Sequence, residues 1–215
     1  KKVYQTSDFE TINVDNYYCP ICSASDRERL YALYLSKTLK RTSTKHFIHF
    51  SPEQTLRKWI VHNYPRLSYK TADLHMKDAD VVVDLTNLRK YSDNTVDYFI
   101  CSHVLEHIVD DRKAISELYR ILKPGGKGIL MAPLLPLLER SYENKKITTE
   151  DKRRIYFGQV DHVRVYAKKD YVDKLHNAGF IVRQYDSKYF GLKKYDMYGI
   201  TRQSVLYVVE KMIDI

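Results

Sequence analysis

The chain has 215 residues, of which 44% are hydrophobic and 29% are charged, a composition that is typical of a globular protein and excludes a low-complexity chain. Lys and Arg outnumber Asp and Glu by 36 to 27, which gives a net charge of +9. This surplus would favour an anionic partner, but the basic residues are scattered and form no long stripe, which argues against nucleic acid.

The hydrophobic segments and the cysteines indicate a cytoplasmic protein without a membrane span. The longest apolar run, at 129–138, contains two prolines and is too short to cross a bilayer. No segment resembles a signal peptide. Three cysteines, at positions 19, 22 and 101, are too few and too unevenly placed for a disulfide framework, which favours a reducing compartment.

Residues 1–40 lack regular alternation of strand and helix patterns, and we expect them to form a short N-terminal cap. This segment carries Cys19 and Cys22 in the motif "CPIC". One Cys-x-x-Cys pair supplies only half of a structural zinc site. The pattern therefore favours two buried thiols in a tight turn over a zinc ligand set.

From about residue 45 onward, strand and helix patterns alternate. Strands are predicted at 45–50, 67–74, 80–85, 96–102, 127–133, 180–185 and 204–211. Helices are predicted at 52–64, 103–122 and 168–180. The alternation predicts an α/β domain over 41–215, with a doubly wound, Rossmann-like and mostly parallel seven-stranded sheet covered by helices on both faces.

The segment "DYFICSHVLEHIVDDRKAISELYRILKPGG" (97–126) closely resembles the fourth strand, following helix and turn of class I S-adenosylmethionine-dependent methyltransferases. The block order fits this family over 45–211. "CPIC" and "FGQVDHVRVY" (157–166) are also similar to a subgroup that methylates small molecules and precursors of capsule or other surface polysaccharides. The resemblance implies O-methylation of a sugar or of a phosphorylated or nucleotide-linked precursor.

The resemblance also places the cofactor, because ligands of doubly wound sheets bind beyond the carboxyl ends of the strands. Asp73 follows the second strand, where it would accept the ribose hydroxyls. Asp84 and Leu85 follow the third strand and would contact the adenine. Ser102 and His103 follow the fourth strand and would lie near the methionine moiety.

The turn after the first strand departs from the family pattern. Relatives usually have a glycine-rich loop there, whereas "HFSPEQTL" (49–56) contains no glycine. Phe50, Ser51 and Glu53 are expected to contact the cofactor instead, with Glu53 meeting its positive charge. A degenerate scaffold that keeps the fold without binding the cofactor is the alternative.

Four polar residues are candidates for the chemistry. His103, Glu106 and His107 would share one face of a helix that begins at residue 103, and His162 would face them from an extended segment. A neutral His107 or His162 could take the proton of a hydroxyl acceptor while Glu106 orients its ring. The cluster could instead hold a divalent metal, but the sequence favours the metal-free base.

Residues 133–166 are predicted to form an acceptor-binding insertion. Arg153, Arg154 and Arg164 could grip a phosphate or carboxylate, which suits a small anionic acceptor. Arg153 and Arg154 could equally form a solvated helix face. The alternative function from another class is an RNA methyltransferase or RNA-binding protein.

Overall fold

The computed structural model describes residues 8–213. The main sheet has seven strands: β1 His46–Phe50, β2 Ser68–Asp73, β3 Val81–Val82, β4 Val96–Ser102, β5 Leu122–Met131, β9 Ile181–Tyr185 and β10 Leu206–Glu210. A smaller sheet consists of β6 Leu134–Leu135, β7 Tyr142–Glu143 and β8 Arg164–Ala167. The helices are α1 Asp26–Thr38, α2 Gln54–Asn63, α3 Asp111–Ile121, α4 Glu150–Phe157, α5 Lys168–Asn177, α6 Ser187–Phe190 and α7 Leu192–Met197.

The main sheet has the strand order β3-β2-β1-β4-β5-β10-β9. Strands β1 to β5 pair in parallel, and β10 runs antiparallel to both of its neighbours. The central strands β1 and β4 are buried almost throughout, which explains the nearly continuous apolar sequence of β4. The predicted doubly wound, mostly parallel fold is therefore confirmed. None of the helices within residues 8–213 is both long and apolar enough to cross a membrane.

Helix α1 packs in the same hydrophobic core as the main sheet. Its residues Leu30, Tyr31, Tyr34 and Leu35 are buried in that core together with side chains of β1 and β4. The predicted boundary at residue 40 therefore does not separate two cores, because α1 covers the sheet that follows it in the chain.

A buried glutamate joins the start of α1 to α2. Ser25 caps the helix in a capping box, with its backbone N–H and hydroxyl donating to Glu28 Oε2 at 2.7 and 2.9 Å. The other carboxylate oxygen, Oε1, accepts the N–H of Leu56 in α2 at 3.0 Å. One side chain thus satisfies three buried donors from two helices.

We expect Glu28→Ala to lower the free energy of unfolding by about 3 kcal/mol, because it leaves those buried donors without an acceptor. Urea denaturation would measure the loss. Glu150→Ala is the matched control, because Glu150 also lies in the first turn of a helix but is exposed, and its effect should stay within about 0.5 kcal/mol. Equal losses in the two variants would contradict this account.

The segment 133–166 folds around a small core of its own. The β6-β8-β7 sheet and α4 enclose Leu135, Ile147, Phe157 and Val165. Phe9, from the N-terminal segment, packs against this cluster. The insertion and the N-terminal segment therefore contact each other through this small hydrophobic cluster.

The predicted helix 103–122 begins later than expected. His103 has a left-handed backbone conformation with φ 55°, Leu105–His107 form a single 3₁₀ turn, and α3 starts at Asp111. The side chain of Asp110 caps α3 by accepting the N–H of Lys113 at 3.0 Å. The residues between 103 and 110 are therefore a loop.

The prediction of two buried thiols in "CPIC" was wrong in part. The tight turn is present: the Ser23 N–H donates to the Cys19 carbonyl at 2.8 Å, and Ser23 has φ 62°. Both cysteines are free, but Cys22 is exposed and Cys19 is half-buried. The backbone N–H groups of Cys22 and Ile21 point at the Cys19 sulfur and lower its pKa. Packing in a buried core therefore does not account for the presence of these two cysteines.

Candidate active site

Two turns at the carboxyl edge of the sheet have an unusual backbone. Ser51 follows β1 with φ 46°, and His103 follows β4 with φ 55°. Both turns stay anchored to neighbouring strands, because the Ser51 N–H donates to the Ala72 carbonyl and the His103 N–H to the Met131 carbonyl, each at 2.9 Å. Left-handed conformations of residues other than glycine are uncommon and cluster at functional sites. Ser51 thus adopts the conformation that glycine usually supplies.

A cleft of about 480 Å³ opens between these turns, and we call it the first cleft. Its volume lies within the range of small-molecule and cofactor sites. Among its lining residues are six of the predicted cofactor residues: Phe50, Ser51, Asp73, Asp84, Leu85 and His103. The structure therefore brings together residues that lie at or after the carboxyl ends of four strands, β1 to β4, at one edge of the sheet.

Asp73 is held as an ionised acceptor at this cleft. Its Oδ2 accepts the Ser51 hydroxyl at 2.7 Å, and its Oδ1 accepts the N–H groups of His75 and Met76 at 2.6 and 2.7 Å. Burial alone would raise the pKa of Asp73, but these hydrogen bonds outweigh it and hold the pKa below its ordinary value. With three of its roughly four acceptor positions filled, the carboxylate keeps one position on Oδ2 for a further donor.

Asp84 also has a local structural role. Its Oδ1 accepts both the N–H and the hydroxyl of Thr86 at 2.8 Å, which closes the turn after β3. The residue still lines the first cleft beside Leu85. The pair therefore presents a polar edge and an apolar wall, as the sequence predicted.

Glu53 and Ser102 lie outside the lining of the first cleft, contrary to the prediction. The Glu53 carboxylate lies 3.1 Å from His49 Nε2 and 3.5 Å from Arg27 Nε. The Ser102 hydroxyl shares a 2.8 Å hydrogen bond with the Tyr31 hydroxyl and is buried. The two side chains therefore point to α1 and its surroundings instead of the cleft.

A second cleft of about 370 Å³ lies on the other side of His103. Its polar lining comes from Tyr17, Arg27, His103, Gln159 and His162, and its apolar lining from Phe9, Ile12, Val14, Pro133 and Phe157. His103 lines both clefts. The N-terminal segment and the insertion therefore enclose a small polar site that meets the first cleft at one histidine.

Arg27 is a site residue that the sequence analysis missed. It stands in the charged stretch "DRER" at the start of α1, which is typical of a solvated helix face. In the structure its Nε is buried, makes no hydrogen bond within residues 8–213 and lies 3.5 Å from the Glu53 carboxylate. No signal in the sequence identifies it, because its placement depends on α1 packing beside the turn after β4.

The four predicted catalytic residues converge, although not along a helix. Glu106 is 1% exposed, and its Oε1 lies 3.7 Å from His103 Nδ1 and 3.9 Å from His107 Nε2. The rings of His107 and His162 meet edge to face with centroids 4.7 Å apart. The cluster does not depend on helical spacing. It forms because a 3₁₀ turn at Leu105–His107 follows the left-handed residue His103.

Burial shifts the pKa values of the cluster toward the neutral forms. It raises the pKa of Glu106 to about 8. It lowers the pKa of His162 to about 4, with a further contribution from His107. Burial also lowers the pKa of His103 well below its usual range, and the charge of Arg27 adds to this.

Arg164 fastens the loop that carries this cluster. Its guanidinium donates to the carbonyls of Leu105, Ile108 and Val109 and to the Glu143 carboxylate. The predicted role in binding an acceptor phosphate does not fit, because the N–H donors of this buried guanidinium already bond to these protein oxygens.

The other two predicted acceptor-binding arginines lie on α4. Arg154 is exposed, and Arg153 is half-buried with an Nε that has no hydrogen-bond partner. Neither lines the first or the second cleft. The structure therefore puts Arg27, and not these two residues, at the wall of the second cleft.

Comparison with known proteins identifies similar sequences. Residues 34–130 match the family described as "Methyltransferase domain". Phosphoethanolamine N-methyltransferase 2 of Caenorhabditis elegans is 32% identical over 85 residues, which cover 38% of this chain and 18% of that protein. Demethylmenaquinone methyltransferase of Clavibacter sepedonicus is 36% identical over 66 residues, which cover 29% of this chain and 26% of that protein.

The fold matches a solved structure of phosphoethanolamine N-methyltransferase 2 from Haemonchus contortus, in complex with phosphomonomethylethanolamine and S-adenosylhomocysteine. The TM-score is 0.56 at 16% sequence identity, and the match covers 87% of this chain and 53% of that one. The chain thus spans about half of this solved relative and a smaller share of the curated ones. The family match over residues 34–130 and the shared fold support the predicted resemblance to class I S-adenosylmethionine-dependent methyltransferases.

Proposed function

We propose that the protein transfers a methyl group from S-adenosylmethionine in the first cleft to a small polar acceptor in the second. The observation that carries this proposal is that the two clefts meet at His103. Methyl transfer requires donor and acceptor to be held in line across such a junction.

The residues of the first cleft fit the cofactor. When bound, S-adenosylmethionine supplies an activated methyl group on its sulfonium. The remaining acceptor position of the Asp73 carboxylate takes a ribose hydroxyl, and the side chains of Phe50 and Leu85 form an apolar wall for the adenine. The main contribution of these residues is to orient the cofactor toward His103.

His103 accepts the proton of the acceptor hydroxyl. Its ring lines both clefts, and its Nε2 has no hydrogen-bond partner within the part of the chain that the structure describes. Glu106 lies 3.7 Å from the other ring nitrogen and orients the imidazole. This assignment moves the base from His107 or His162, which the sequence favoured, to the histidine at the junction.

The acceptor is a small anionic molecule, such as a sugar or a phosphorylated or nucleotide-linked precursor of a surface polysaccharide, methylated on oxygen. The guanidinium of Arg27, which lines the second cleft and lies 3.5 Å from Glu53, supports an anionic group. The H. contortus enzyme was solved with the phosphorylated amine phosphomonomethylethanolamine, which also accords with a phosphorylated acceptor. The three free cysteines support a reducing, cytoplasmic setting.

Isothermal titration calorimetry tests the cofactor. We expect S-adenosylmethionine and S-adenosylhomocysteine each to bind with one molecule per chain, because both contain the ribose and adenine that the first cleft recognises. Binding of neither ligand by folded protein would contradict the enzyme proposal and support the non-catalytic scaffold.

An acceptor panel tests the second cleft. We expect release of S-adenosylhomocysteine to be stimulated by sugar phosphates or nucleotide sugars and not by the corresponding neutral sugars, since Arg27 faces the acceptor. RNA binding that weakens steeply with salt, together with methylation of RNA, would contradict a small-molecule acceptor and favour the alternative function.

A further inference from the structure

We propose that Glu106, His107 and His162 form a binding site for one divalent transition-metal ion between the two clefts. One ligand atom from each residue lies within 4.8 Å of the other two. His107 lines the first cleft and His162 lines the second, while Glu106 is buried between them. The role of the ion rests on the proposed methyl transfer, whereas the site itself rests on the geometry below.

The Glu106 carboxylate is unusual because one of its oxygens is unsatisfied. Oε2 is buried and has no hydrogen-bond partner among the described residues. Leaving a buried carboxylate oxygen without a partner is costly, and buried carboxylates are normally paired or bound to metal. An ion held with the two histidines would satisfy it.

The hydrogen bond of His162 leaves the correct nitrogen free for a metal. Its Nδ1 lies 3.2 Å from the Phe157 carbonyl, which can only accept, so Nδ1 carries the hydrogen. The lone pair is therefore on Nε2. Metal-binding histidines usually donate their second nitrogen to a carbonyl or carboxylate in this way, which fixes the ring and raises its basicity.

His107 has a similar arrangement. Its Nδ1 lies 3.2 Å from Asp161 Oδ2, and its Nε2 lies 3.9 Å from Glu106 Oε1. Each histidine thus has an oxygen atom near Nδ1, and the two residues sit beside the same carboxylate. Two imidazoles and one carboxylate form a ligand set typical of catalytic zinc or non-haem iron, and not of magnesium or calcium.

The backbone around the site is fixed before any ion binds. The Val163 N–H donates to the Glu106 carbonyl at 2.9 Å, and Arg164 holds the carbonyls of the same loop. At bond lengths of about 2.0–2.2 Å, ligand atoms around zinc are closer together than in the structure, so the side chains must rotate inward. The ion would keep an open position for an acceptor oxygen beside His103, whose Nε2 stays free to take the hydrogen.

Metal binding can be measured without the methyl-transfer reaction. Tag-free protein is stripped with a chelator and then titrated with Zn²⁺ by calorimetry and with Co²⁺ by visible absorption. The background is Cys19→Ser/Cys22→Ser, because free thiols such as those of "CPIC" are themselves potential ligands for these ions. We expect one ion per chain, with affinity lowered by about tenfold or more in Glu106→Gln and in His162→Ala. His62→Ala, at an exposed histidine on α2, is the matched control and should bind like the background protein.

Absence of saturable binding, or equal binding by the background protein and Glu106→Gln, would overturn the metal site. Binding of S-adenosylhomocysteine by the same samples shows that each variant is folded. If the stripped protein binds S-adenosylhomocysteine but no metal, the inference fails while the proposed function stands. If metal binds but neither cofactor form does, the proposed function fails while the metal site stands.

Discussion

Asp73→Ala is expected to weaken S-adenosylmethionine binding by about 30- to 100-fold, measured by calorimetry. The carboxylate is ionised at the end of β2 and lines the first cleft. Asp73 has one acceptor position left for a ribose hydroxyl, and a hydrogen bond to a charged group contributes about 1.5–3 kcal/mol. Loss of the carboxylate removes this bond, which gives the expected factor.

The control for this prediction separates cofactor contact from loop structure. Asp78→Ala removes a nearby carboxylate that pairs with Arg57 on the surface, and cofactor affinity should be unchanged. Ser51→Ala removes the hydroxyl that donates to Asp73 but leaves the carboxylate, so it should cost less than Asp73→Ala. If Asp73→Ala and Asp78→Ala bind the cofactor equally well, Asp73 only closes its own turn.

The fold could be predicted because its signals are local in the chain. The strand β4 is apolar almost throughout, and α3 and α5 end near glycines and basic residues. Asp73 and Asp84 line the same cleft for a related reason, since the carboxyl ends of parallel strands share one edge of a sheet.

The parts that could not be predicted depend on side-chain direction and on contacts between distant segments. The left-handed turn at His103 has no signal in the sequence, so the predicted helix began at residue 103 instead of at Asp111. Arg164 follows His162 at strand spacing, but its direction is set by the carbonyls of the 105–109 loop. Arg27 reaches the second cleft only because α1 packs beside β4, which no local pattern indicates.

His103→Asn is expected to lower the rate of methyl transfer by about 100-fold or more, with cofactor affinity changed only slightly. The variant removes the imidazole that lines both clefts. Asparagine tolerates the left-handed conformation that this position requires, so the turn after β4 should persist. Alanine adopts this conformation less readily than histidine or asparagine and would confuse a structural defect with a catalytic one.

Chemical rescue distinguishes a base from a residue that only shapes the site. His103→Gly keeps the backbone conformation and leaves space where the ring was, and added imidazole should then restore part of the transfer rate with the acceptor identified by the panel. The same imidazole should not stimulate His62→Gly, because that histidine is exposed on α2 away from both clefts. A His103→Asn protein that transfers methyl at nearly the wild-type rate would show that the proton leaves by another route, and His107 and His162 would then be the residues to test.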